Sequence, residues 1–232
     1  MQMNTKSIKE LLKRVPLFKD LTDDEMAPIV ELAQLRNYRK GSHIFMQGDP
    51  LTNVYFIHQG KVKIYKTDIH GKEQIVNILQ PGQMFPHQGF FRQDNCPAHA
   101  EVVDEVALIY IPIHMFEKFL YNNPAISVKL FKVLGDLIVD LQKRLEEQIL
   151  HNTYEQIIML LLRLTDTYGS EIEPGVYKLN TVFTNRELAN MIGSSRETIS
   201  RTLTQLKKQK LIKNSPTGDI LLNKEALEDA LF

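Results

Sequence analysis

The chain has 232 residues and 28 basic against 28 acidic side chains, for a formal net charge of +0. With 43% hydrophobic and 24% charged residues it has the make-up of a folded globular protein, which excludes a disordered, collagenous or low-complexity chain. The single cysteine, Cys96, excludes an intramolecular disulfide and an all-cysteine zinc or iron–sulfur site within one chain. No run approaches the roughly 18 apolar residues of a membrane span; the longest tight run is Ile157-Ile158-Met159-Leu160-Leu161-Leu162. Met1 to Lys13 is charged and amphipathic and lacks the apolar core of a secretory signal. These features set the expectation of a reducing, cytoplasmic setting without a membrane.

Residues 4–35 read as short helices. Ile8, Leu11, Leu12 and Val15 are apolar at helical spacing, and Pro16 interrupts them. Thr22, three residues before Glu25, is a capping box that starts a second helix. Residues 36–111 read as strands and tight turns, with glycines at 41, 48, 60, 71, 82 and 89. Between them lie Val54-Tyr55-Phe56-Ile57, Val62 with Ile64, and Ile75-Val76-Asn77-Ile78-Leu79, while Asp68-Ile69-His70-Gly71 and Gln80-Pro81-Gly82 are turn chemistry. Six such strands predict a small antiparallel barrel or roll; a β-sandwich without a pocket fits the same pattern.

From Pro112 to Leu150 the period becomes helical. Leu130, Leu134, Leu137, Leu141 and Leu145 follow one another at a heptad-like spacing, flanked by charged residues. Such a stripe serves an intramolecular core or a partner helix. Polar opposite faces favour the partner, and a second copy is the simplest one, so these five leucines are the expected dimer interface. Tyr154 to Tyr168 reads as a further helix, closed by Gly169 and the turn Glu173-Pro174-Gly175.

The neutral total hides a division. From Lys178 to Lys213 eight basic residues face only Glu187 and Glu197, a local charge of +6. That is the electrostatic footprint of a phosphate-binding face. Within it, Thr184 and Glu187 form another capping box; Leu188, Ala189 and Ile192 make a buried helix face. Gly193 takes the left-handed position after that helix, and Ser194 or Ser195 caps the next, whose buried face is Ile199, Leu203 and Leu206. Two short helices joined at a glycine are helix-turn-helix chemistry. The second helix carries Arg196, Glu197, Ser200 and Arg201 on its outer face, residue types that read guanine and cytosine edges in the major groove. Leu211-Ile212-Lys213-Asn214, the turn Ser215-Pro216-Thr217-Gly218-Asp219 and Ile220-Leu221-Leu222 add a hairpin wing.

Ser195-Arg196-Glu197-Thr198-Ile199-Ser200-Arg201, with Leu203, Leu206 and Leu211-Ile212, resembles the recognition helix of the Crp/Fnr family of bacterial transcription regulators. The glycine spacing from Gly41 to Gly89 is similar to that family's cyclic-nucleotide-binding-type β-roll, and the leucine helix to its dimerisation helix. The resemblance covers nearly the whole chain. It implies an α+β fold: an N-terminal antiparallel β-roll (double-stranded β-helix) with flanking helices over 1–122, a long dimerisation helix over 123–150, and a C-terminal winged helix-turn-helix over 151–232. It further implies a homodimer on a palindromic site of double-stranded DNA, with RNA polymerase as a candidate partner; activation and repression both stay open. The Arg-Glu-Arg base readers of the cyclic-AMP receptor type fall on Arg196, Glu197 and Arg201. The Glu-Ser-Arg readers of the Fnr type fall on Glu197, Ser200 and Arg201. Both imply half-sites with a TGA core, TGTGA in the fuller form, with Thr184, Ser195 and Thr198 on the DNA backbone.

The departures bear on control. Cyclic-nucleotide binders of this fold carry Gly-Glu for the ribose and Arg-Ser or Arg-Thr for the phosphate. Here those pairs read Pro86-His87 and Pro97-Ala98, so a cyclic phosphate lacks its bidentate partner and cyclic AMP is disfavoured. The N-terminal cysteine cluster of oxygen-sensing relatives is missing, which disfavours an iron–sulfur cluster. No cofactor and no metal site are expected. Open alternatives are a different small effector held by His87, Gln88, Pro97, Ala98, Leu141 and Gln142, activity without ligand, a thiol event at Cys96, and haem through His87 or His99. No phosphate loop, His-Glu-x-x-His or Gly-x-Ser-x-Gly is present, so no enzyme is expected. The competing reading is a ligand-binding regulatory protein that acts on protein partners without specific DNA binding.

Overall fold

The computed structural model describes residues 5–92, 94–215 and 218–231. Met1–Asn4 and the turn residues Pro216 and Thr217, both part of segments read above, lie outside the described residues. The chain forms two units, Met1–Ile138 and Val139–Phe232.

The first unit opens with α1 (Thr5–Leu12) and α2 (Asp23–Leu32). Thr22 and Glu25 close the predicted capping box reciprocally, with the Thr22 N–H donating to Glu25 Oε2 at 2.8 Å. Eight strands follow: β1 (Gln34–Tyr38), β2 (His43–Phe45), β3 (Asn53–Gln59), β4 (Val62–Thr67), β5 (Glu73–Leu79), β6 (Met84–Phe85), β7 (His99–Val102) and β8 (Val106–Pro112). They form two antiparallel four-stranded sheets, ordered β1-β8-β3-β6 and β2-β7-β4-β5, the predicted roll. Eight strands replace the six expected. β1 is largely exposed and β2 and β6 are only three and two residues long, too short to show alternation. The predicted turn at Asp68 is an Asx turn, its carboxylate accepting from the His70 and Lys72 N–H groups at 2.8 and 2.9 Å.

Two cores hold this unit together. Phe18, Phe56, Phe116 and Phe119 are buried where the helices α1, α2 and α3 (Ile113–Asn122) pack on the roll, with Phe18 and Phe56 rings 5.1 Å apart. Inside the roll Tyr55 stacks on Phe85 at 5.2 Å, and Phe45 packs against both at a tilt, with ring centroids 5.9 Å apart. The turn between β3 and β4 depends on Gly60, whose φ is +84 and whose absent Cβ would lie 2.3 Å from the Glu105 carbonyl oxygen. Both the left-handed backbone and the backbone contact penalise a side chain there. Gly60→Ala is expected to destabilise this unit by more than about 1 kcal/mol, seen as a lowered first transition in a thermal melt.

The long helix α4 (Pro124–Leu150) runs through the division between the units. Its leucine stripe is not a single interface, which corrects the sequence reading. Leu130 is 4% exposed inside the first unit's core and Leu134 packs against that core, so both are committed to their own chain. Leu137 is half-buried. Only Leu141 and Leu145 are open. The uncovered apolar side chains of the first unit's part are Val128, Phe131 and Ile138; those of the second unit's part are Val139, Leu141, Leu145, Ile149 and Leu150.

The second unit continues with α5 (Thr153–Tyr168), capped by an Asn152–Glu155 capping box that the sequence reading did not single out. Then come β9 (Gly169–Glu173), β10 (Val176–Leu179), α6 (Asn185–Ile192), α7 (Arg196–Lys208), β11 (Ile212–Asn214), β12 (Ile220–Asn223) and α8 (Lys224–Asp229). The sheet order is β11-β12-β10-β9, and β11 pairs with β12 as the predicted wing hairpin. Ile157, Ile158, Leu161, Ile199, Leu206, Ile212, Leu222 and Leu227 form its buried side.

Candidate nucleic-acid interface

The positions of the charged side chains follow from how α6 and α7 are built. Thr184 caps α6, its hydroxyl accepting from the Glu187 N–H at 3.1 Å while Glu187 Oε2 accepts from the Thr184 N–H at 2.8 Å. Leu188, Ala189 and Ile192 are buried, and Gly193 ends the helix at φ 70, ψ 21. That left-handed residue turns the chain within two positions, at no steric cost only for glycine. Of the two candidate caps, the structure selects Ser195: its Oγ accepts from the Thr198 N–H at 3.1 Å. Ile199, Thr202, Leu203 and Leu206 then bury one side of α7. The other side is fixed by elimination of the buried positions, and Arg196, Glu197, Ser200 and Arg201 all stand exposed on it.

The exposed side has a definite electrostatic character. Hydrogen bonds from its own backbone N–H and from Ser195, at the positive end of the helix dipole, hold the Glu197 carboxyl below the usual carboxylate range, and Arg196 and Arg201 add to this. At neutral pH Glu197 is therefore an ionised, acceptor-only group between two guanidinium donors. Neither guanidinium makes a hydrogen bond or ion pair among the described residues. The four side chains line a shallow depression of about 350 Å³. A second, of about 430 Å³, is lined by Ser200, Arg201, Thr204, Gln205 and Lys208. Thr204 and Gln205 were missed in the sequence reading; their i+4 spacing from Ser200 and Arg201 was the available signal, while Lys208 had been counted only as part of the basic segment.

The remaining predicted residues divide. Thr184 and Ser195 are exposed caps, and the Ser195 and Thr198 hydroxyls share a hydrogen bond of 2.9 Å. Lys178, counted in the basic segment, is tied to Asp219 at 2.8 Å, whereas Lys207, Lys208, Lys210 and Lys213 are exposed. In the first unit, burial pushes the His87 imidazole down to about 4, so it is neutral at physiological pH. Gln88 is exposed, Pro97 half-buried, and Ala98 buried with only a methyl to offer. Leu141 and Gln142 are exposed on the second unit's part of α4. Cys96 is 3% exposed, and burial, followed by the Asp49 charge, raises its thiol to about 11. A neutral, enclosed thiol is a poor nucleophile, which argues against a redox role. His99 Nδ1 accepts from the Gln47 N–H at 3.2 Å, and its ring stacks on Tyr65 at 4.8 Å. No helix among the described residues is long and apolar enough to cross a membrane.

This arrangement matches known families along both units. The cyclic nucleotide-binding domain pattern matches residues 35–123, and the Crp-like helix-turn-helix domain pattern matches residues 155–230. The chain belongs to the Crp/Fnr family. Members of this family are DNA-binding transcription regulators. The chain is 26% identical over 194 residues to the CRP-like cAMP-activated global transcriptional regulator of Mycobacterium tuberculosis, covering 84% of this chain and 86% of that protein. It is 26% identical over 211 residues to the anaerobic regulatory protein of Bacillus subtilis, covering 90% and 88%. In fold it is similar to FixK2 from Bradyrhizobium japonicum, with a TM-score of 0.73 at 23% identity over 85% of this chain and 96% of that one. The CooA mutant from Carboxydothermus hydrogenoformans gives 0.74 at 21% identity over 88% and 90%.

Proposed function

We propose that this Crp/Fnr family member is a homodimeric transcription regulator that reads a palindrome with TGA-core half-sites through Arg196, Glu197, Ser200 and Arg201. The observation that carries the reading is the exposed, unpartnered pair of guanidinium groups beside an ionised Glu197 at the start of α7. Arginine forks suit guanine O6 and N7, and a carboxylate accepts from cytosine N4. A partner chain is supported by the open apolar residues of α4. Val128, Phe131, Gly135, Ile138, Gln142, Leu145 and Ile149 alternate by three and four, the spacing of a heptad seam. A second copy brings two α7 helices to half-sites about 34 Å apart, one turn of DNA. In this reading residues 1–122 sense, 123–150 dimerise and 151–232 bind DNA.

Control by cyclic AMP is not part of the proposal, although the first unit matches the cyclic nucleotide-binding pattern. Pro97 and Ala98 supply neither a cation nor a hydroxyl to a cyclic phosphate, and His87 is neutral. A small effector without that phosphate, or activity set by protein level, fits these residues better. The setting is cytoplasmic, and RNA polymerase is the partner through which bound dimer would act.

The test is a gel shift of the full chain with a TGA palindrome at about 50 and 200 mM salt. A dimer neutralising six or more phosphates is expected to lose about 10³-fold or more in affinity between them, through counterion release. Absence of any shift at either salt would favour the protein-partner reading instead.

A further inference from the structure

We propose that α7 reads one more base pair than the TGA core, through Gln205, and clamps a phosphate through Lys208; this rests on the DNA-reading function above. Residues four apart share a helix face, so two rows run along the exposed side of α7. Glu197, Arg201 and Gln205 form one; Arg196, Ser200, Thr204 and Lys208 form the other. The row does not stop at Arg201, because the second depression continues from Ser200 and Arg201 to Gln205 and Lys208.

The chemistry of these three residues differs from that of their neighbours. The Gln205 amide is exposed and has no hydrogen bond among the described residues. Gln209, one turn on, is taken up by the Tyr154 hydroxyl, which donates to its Oε1 at 2.8 Å. A free glutamine amide on a groove-facing row can pair bidentately with adenine N6 and N7. Thr204 donates its hydroxyl proton to the Ser200 carbonyl at 2.8 Å, which takes it out as a donor to a base edge. Lys208 ends the row, exposed and unpaired, where a point charge serves a phosphate. One helical turn separates Gln205 from Arg201, about 6 Å along the axis. That is about two base steps from the guanine held by Arg201.

The experiment measures binding of the full chain to TGA palindromes in which each flanking base pair is varied in turn. The wild type is expected to prefer adenine, by about 10-fold, at one position about two base pairs from the Arg201 guanine. Gln205→Ala should flatten that preference and leave the core preference intact. Gln205→Glu should move it to cytosine, which a carboxylate can read. Lys208→Ala should lower the slope of log K against log salt by about one per protomer without altering sequence preference. If both Gln205 variants keep the wild-type profile while Arg201→Ala abolishes core reading, the added reader is refuted and the function stands. If Arg201→Ala also changes nothing, the DNA-reading function falls with it.

Discussion

Arg201→Ala is expected to reduce specific DNA binding by about 1–3 kcal/mol per half-site, and twice that for a dimer on its palindrome. The specific complex exceeds non-specific binding by only about 4–10 kcal/mol, so the loss removes a large share of discrimination. Arg201 is exposed and makes no hydrogen bond or ion pair among the described residues, so its removal should leave the melting temperature unchanged. Arg201→Lys sharpens the result. It keeps the charge and loses the fork, so non-specific affinity and its salt slope should persist while guanine preference drops. Anisotropy titrations on matched and scrambled duplexes read both quantities. Wild-type binding of the matched duplex by the alanine variant would remove the basis of the proposed readout.

The second large effect separates two leucines that look alike in sequence. Leu145→Asp places a charge on the open part of α4 and should turn a dimer into a monomer, with the folding of each unit retained. Palindrome affinity should fall by at least about 100-fold, because a half-site bound by a monomer gains nothing from the effective concentration of a linked partner. Leu130→Ala acts elsewhere. It leaves a hole in the first unit's buried core and should cost about 2–5 kcal/mol of that unit's stability. Sedimentation together with thermal melts distinguishes the outcomes. A dimeric Leu145→Asp protein would contradict the seam.

This contrast shows where sequence reading reaches and where it stops. The capping boxes at Thr22 and Thr184, the left-handed Gly193 and the outward Arg196, Glu197, Ser200 and Arg201 were legible, because each depends on neighbours within one helical turn. The role of the leucine stripe was not. Spacing shows that Leu130 and Leu145 lie on a common helix; it carries no information on which part of that helix the roll covers. Tertiary packing claims Leu130 and leaves Leu145 open, and the apolar residues at 128, 131 and 138 were overlooked because a leucine repeat stood beside them. The short strands β2 and β6 escaped for a related reason. They owe their extended form to pairing with distant strands, β7 and β3, rather than to their own two or three residues.

The enclosure of Cys96 has a practical side. A thiol raised to about 11 and 3% exposed should ignore maleimide reagents at neutral pH while the fold is intact. The natural chain is then chemically silent, and one cysteine introduced at an exposed site such as Tyr121 or Lys213 would carry a single spin or fluorescent label per protomer. Separations between the copies of the proposed dimer could be measured on and off DNA without first stripping the protein of native thiols.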